Sequence, residues 1–217
     1  MKNFSKSWVR CLAASLLLIL AIDLSADVDA LSGTWIINEN DSDSLKTQMN
    51  ALKQEYRDWK DDQDKDDDDP EKPSPFDRND IRKKGYDARR GGSVAKPSVA
   101  VNRIVTAEQI RLYISERIIV AYDGKLKRLI SPNPLGRVHS AKGRGISKDA
   151  TGETLAYLEN DTVVIETRTK VTERLTERFE MSSTGQLKVM TRLYNPDWRR
   201  EIEFVRMYDR DKNTLKK

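Results

Sequence analysis

The chain contains one cysteine, Cys11, and one histidine, His139, among its 217 residues. Each scarcity excludes chemistry. Cys11 lies in the N-terminal apolar stretch, so the remainder has no thiol for disulfides, thiolate catalysis or a structural zinc. One imidazole and no G-x-S-x-G elbow leave no serine or cysteine triad to assemble. Two carboxylates suffice for glycoside hydrolysis, but no pair is marked by its setting. Apolar residues are also scarce, 37% against 34% charged, so part of the chain is expected to stay solvated. The expectation is a non-enzyme without cofactor or metal.

No apolar run is long enough for a permanent membrane span, which takes about 20 residues. The apolar stretch at 12–22 follows Lys2, Lys6 and Arg10 and precedes the small-residue site Val28-Asp29-Ala30, the layout of an export leader. A signal peptide over 1–30 is expected, cut after Ala30, with Ala26 as the alternative. Val9-Arg10 before Cys11 does not fit a lipid-attachment site. A mature chain without cysteine suits the bacterial envelope, periplasmic or secreted.

Charge is segregated. Residues 41–71 carry twelve acidic against five basic side chains, and residues 72–217 carry thirty-one basic against nineteen acidic. The helix signal comes first. Leu45, Met49, Leu52, Tyr56 and Trp59 fall on one helical face behind the capping candidates at 41–44, giving an amphipathic helix over 41–62 that covers a barrel end or meets a partner. Next comes a charged linker over 63–98, expected to be disordered. Its acidic run fails as a calcium loop, because a start at Asp62 places Asp67 where glycine is needed and Pro73 where the bidentate glutamate belongs.

Alternating apolar and polar residues dominate the rest. Residues 153–208 read as four strands broken at Asn160-Asp161, Ser183-Thr184-Gly185 and Asn195-Pro196-Asp197. Upstream strands are expected at 101–106, 110–115, 117–122 and 126–131, with Asp123-Gly124 as a tight turn and short strands at 137–140 and 144–148. With a first strand at 32–38 the longer strands number nine, or ten with one of the short ones: a mainly β, antiparallel up-and-down barrel, its body spanning 99–210 ahead of a basic tail at 211–217.

The ordered blocks GTWIIN, LENDTVVIETR, RLTERFEMSSTGQLKVMTRLY and VRMYDR resemble exported bacterial lipocalin-like (calycin-type) barrel proteins. The resemblance implies that Gly33 and Trp35 open the first strand and that Arg206 packs on Trp35 to close the barrel base. Independently, Glu173 and Glu177 fall on the apolar face of their strand, and Arg206 and Tyr208 on that of the last strand. Charges there must be paired or wet. They form either the polar floor of a ligand cavity or an internal brace. The expected function, resting on the resemblance, is non-catalytic binding of an apolar or amphipathic, lipid-like small molecule in the barrel. The alternative is an envelope structural or interaction module with a filled barrel, using its helix and charged linker. The basic clusters Arg82-Lys83-Lys84 and Arg89-Arg90 would suit a polyanion, though not nucleic acid in an exported protein.

Overall fold

The computed structural model describes residues 28–67, 94–137, 145–198 and 200–212, with no side-chain description for 63–67. Ten strands form one antiparallel sheet. They are β1 (Gly33–Asn38), β2 (Gln109–Ile114), β3 (Ile118–Tyr122), β4 (Leu126–Ile130), β5 (Ile146–Lys148), β6 (Gly152–Glu159), β7 (Thr162–Thr169), β8 (Arg174–Met181), β9 (Leu187–Tyr194) and β10 (Ile202–Arg210). Their order, β4-β3-β2-β1-β10-β9-β8-β7-β6-β5, is that of an up-and-down meander in which β1 pairs with both β2 and β10. The result is a nearly closed barrel with one seam, between β4 and β5.

Turn chemistry sets the registers. Asp123 (φ 49°) and Gly124 (φ 64°) both adopt the left-handed conformation, and the Lys125 amide closes their turn on the Tyr122 carbonyl (2.9 Å) within the three-residue loop between paired Tyr122 and Leu126. The inward sets of the strands other than β5 then converge on a single core that includes Trp35, Ile110, Tyr122, Phe179, Phe204 and Tyr208.

Gly152, which opens β6, has a φ of +152°, and a Cβ there would lie 2.1 Å from the Arg168 carbonyl oxygen and 2.9 Å from the Thr169 Cα. Backbone cannot yield as a side-chain tip can. Gly152→Ala is therefore expected to lower stability by about 2 kcal/mol through local strain. Urea unfolding would check this, and an unchanged midpoint would show that the β6 start relaxes freely.

The first helix, α1 (Leu45–Asp67), starts later and ends later than the expected 41–62, and residues 39–41 form a 3-10 turn ahead of it. Ser44 accepts from the Thr47 amide (3.4 Å), and Met49 and Leu52 are buried against the barrel. Arg200, beyond β9, grips Glu55 of α1 through Nε and Nη2 at 2.8 and 2.7 Å.

The strand expected at 101–106 is instead a second helix, α2 (Val99–Val105). Alternation at Val101, Arg103 and Val105 imitates a strand, but Val101, Ile104 and Val105 also lie on one helical face, and that face is buried. Of the short strand expected at 137–140, Arg137 lies in a turn and the rest falls outside the described residues.

Two further boundaries move. Residues 94–98, assigned above to the linker, belong to the body. Val94 is buried, the Ala95 carbonyl accepts from Trp198 Nε1 (2.7 Å), and the Ser98 amide donates to Glu173 (2.8 Å). The rest of the linker is outside the described residues, apart from the end of α1. At the N-terminus, residues 28–31 form a packed helical turn with Val28 and Leu31 in the core. Among the described residues, no helix is long and apolar enough to cross a membrane.

Candidate functional site

The charged residues on inward faces do meet in the interior, though in a different grouping from that expected. Glu177 of β8 accepts from the Tyr122 hydroxyl of β3 (2.8 Å) and from Arg128 Nη1 of β4 (3.3 Å). Arg128, 1% exposed, also donates from Nε to Asp149 (2.8 Å) and from Nη2 to the hydroxyls of Thr154 (2.6 Å) and Thr167 (2.9 Å). Four guanidinium contacts thus reach β6, β7, β8 and the β5–β6 turn from an edge strand. Arg128 is the bridge across the seam, reinforced by the Asn133 amide on the Ala156 carbonyl (2.7 Å).

The electrostatics follow from burial. Burial raises the Glu177 carboxyl to about 7, against the opposing pull of Arg128 and the Tyr122 hydrogen bond. Burial also pushes the Tyr122 phenol well up, helped by the neighbouring Glu177 charge. At Asp149 burial acts upward as well, but the Arg128 hydrogen bond and charge, with the Thr151 and Gly152 amides, hold the carboxyl below its usual range.

The other expected ligand residues are used structurally. Glu173 accepts from the Ser98 amide (2.8 Å), the Asn195 side chain (3.2 Å) and the Thr169 hydroxyl (3.3 Å), tying the start of α2 to two strand turns. Arg206 donates to the carbonyls of Val105 at the end of α2 (3.1 Å) and of Ala107 just past it (2.8 Å), and the Tyr208 hydroxyl donates to Ala107 as well (3.0 Å). Arg206 also borders a surface hollow of about 430 Å³ beside the start of α1.

The arginine on Trp35 is Arg210, not Arg206. Its guanidinium carbon sits 4.3 Å from the ring centroid, while Nη1 and Nη2 bond the Ser32 (3.1 Å) and Ala30 (2.5 Å) carbonyls. Register explains the change. Trp35 stands opposite Arg210 in the β1–β10 ladder, and Arg206 lies four residues earlier along the same face. Gly33 gives that guanidinium room, since a Cβ there would come within 2.8 Å of Nη1.

A wider groove, about 750 Å³, opens on the outside of the barrel across β6–β10. Its charges are mostly matched. Arg178 meets Glu159 (2.8 Å), Arg192 meets Glu203 (2.6 Å) and Arg137 approaches Glu166 (3.5 Å). The Tyr157 hydroxyl donates to Glu166 (2.9 Å), and burial together with this bond pushes the phenol up to about 12. Sequence alternation marks these residues as outward but does not reveal that they enclose a groove. Among the described residues, no group of three or more histidine, cysteine or acidic side chains is placed to hold a metal ion.

Comparison with protein-family models, with curated proteins and with solved structures found no match to this chain.

Proposed function

We propose that this chain is a non-catalytic binding protein of the bacterial envelope, with a filled barrel as rigid carrier and its contacts with ligand or partner on the outside. The observation that supports this reading is the occupancy of the interior. Trp35, Arg128, Tyr122, Tyr208, Phe179 and Phe204 are among the largest fully buried side chains, and Arg128 and Glu177 bond each other and neighbouring hydroxyls. A ligand in the barrel would have to displace packed aromatic rings and a four-bonded guanidinium. The ten-stranded up-and-down order and the Gly33-x-Trp35 opening are compatible with a lipocalin-type relationship, which is part of this proposal.

Export is the other part. Cleavage after Ala30 would remove buried Val28 and the carbonyl that Arg210 holds, whereas cleavage after Ala26 would keep the packed turn at 28–31. Mass spectrometry of the protein recovered after export from a bacterial host tests both parts at once. The denatured mass is expected to begin at Asp27, and the native mass to exceed it by nothing stoichiometric. A tightly held apolar molecule released on denaturation would return the ligand to the interior. Retention of an uncut chain in the cytoplasm would end the envelope reading.

A further inference from the structure

On the outer face of β6–β10, ion pairing is the rule for the arginines, and two of them break it. Arg168 of β7 and Arg174 of β8 stand directly opposite each other in the ladder. Like charges in that position repel at side-chain separations of about 5 Å. Neither has a carboxylate partner among the described residues. Glu153, across from Arg168 on β6, is bonded by Lys148 (3.0 Å). Glu201, another carboxylate of the groove, precedes β10 and is two strands away from Arg174. The groove's remaining arginines, Arg137, Arg178 and Arg192, each have a glutamate.

The pair is also held ready. The Arg174 guanidinium lies 4.3 Å above the Tyr194 ring, its cross-strand neighbour on β9, which fixes the plane of the fork. Thr176, two residues along β8 on the same face, adds a half-buried hydroxyl at the groove wall. Two adjacent guanidiniums in an open groove match a tetrahedral dianion, because each fork supplies paired N–H donors to a phosphate edge.

We propose that Arg168 and Arg174 form a binding site for a phosphate monoester group, with Tyr194 positioning Arg174. The anion would relieve the cross-strand repulsion that the sheet otherwise carries. This rests on the reading that binding takes place on the outside of the barrel. An interior ligand found by native mass spectrometry would overturn that reading without touching the arginine pair, so the two can fail separately.

The test is calorimetric titration of the full chain with inorganic phosphate in a low-salt chloride buffer. Co-sedimentation with phosphatidylcholine vesicles, with and without phosphatidic acid, runs in parallel. Wild-type protein is expected to bind inorganic phosphate, and the Arg168→Gln/Arg174→Gln double variant to bind it at least tenfold more weakly. Retention on phosphatidic acid vesicles alone would identify a lipid headgroup as the source, and binding of free phosphate alone a soluble ester. Arg174→Glu guards against a folding artefact. Its carboxylate faces Arg168, so the melting temperature should hold or rise while phosphate binding is lost. Equal binding by wild type and double variant, or no binding by wild type in either arm, would overturn the proposal.

Discussion

At pH 8, where Glu177 is ionised, Arg128→Met is expected to lower stability by about 3–5 kcal/mol, the usual cost of removing one partner from a buried ion pair. The reason is what stays behind. Glu177, 1% exposed, would keep one hydrogen bond from Tyr122 and lose its counter-ion, while the Thr154 and Thr167 hydroxyls would lose a strong donor. The seam adds to the effect, since β4 and β5 share no ladder and Arg128 reaches from one side to the other. For a chain of this size each kcal/mol moves the melting temperature by roughly 2–4 °C, so a fall on the order of 10 °C is expected. The double variant Arg128→Met/Glu177→Met should recover part of the loss, because the stranded carboxylate is gone and Asp149 can turn to solvent. Denaturant unfolding of wild type, Arg128→Met, Glu177→Met and the double variant gives the coupling directly. A single-variant loss below about 1 kcal/mol would mean that the seam is held by its backbone contacts and not by this side chain.

Why Arg128 escaped the sequence and Glu177 did not is a matter of contrast. Along β8 and the residue just before it the inward set Glu173, Leu175, Glu177, Phe179 is otherwise apolar and the outward set is polar, so each glutamate stands out. In β4, LKRLI, each face carries one cation and at least one leucine, and alternation cannot say whether Lys127 or Arg128 points inward. Residues 153–208, expected as four strands, hold five, β6–β10, because the turn at 170–173 has no Gly, Pro, Asn or Asp to mark it. The other turns of that stretch and the helical face of α1 were legible because turn residues and periodicity agreed. The second helix was not, because Val101, Arg103 and Val105 satisfy both periods and only the barrel end decides. Only the resemblance puts Arg206 on Trp35. The actual partner, Arg210, is four residues on, a displacement of two inward positions that only the register reveals. The outer groove depends on sheet curvature, which strand patterns do not encode.

The second large effect is on pH dependence, and its sign runs against the usual behaviour of buried carboxylates paired with arginine. Glu177 titrates at about 7 in the folded chain against an ordinary 4.5, so the native state binds its proton more tightly than the unfolded chain does. Its favourable contribution is then complete below about 4.5 and is lost as pH rises through about 7. That rise is worth about 3 kcal/mol. Asp149, held below its ordinary 3.8, acts the other way and withdraws its contribution only as pH falls under that value. Between the two lies the expected optimum. At pH 5.5 Asp149 alone still balances Arg128, and a neutral Glu177 keeps Tyr122 and Arg128 within bonding reach without a second buried charge. The protein should therefore unfold at higher urea concentration at pH 5.5 than at pH 8. Glu177→Gln, which keeps the shape and cannot ionise, should flatten that difference while preserving most of the stability at pH 5.5. An equal slope in wild type and variant would assign the pH dependence to other groups and leave Glu177 ionised throughout, with Arg128 then shared between two full charges.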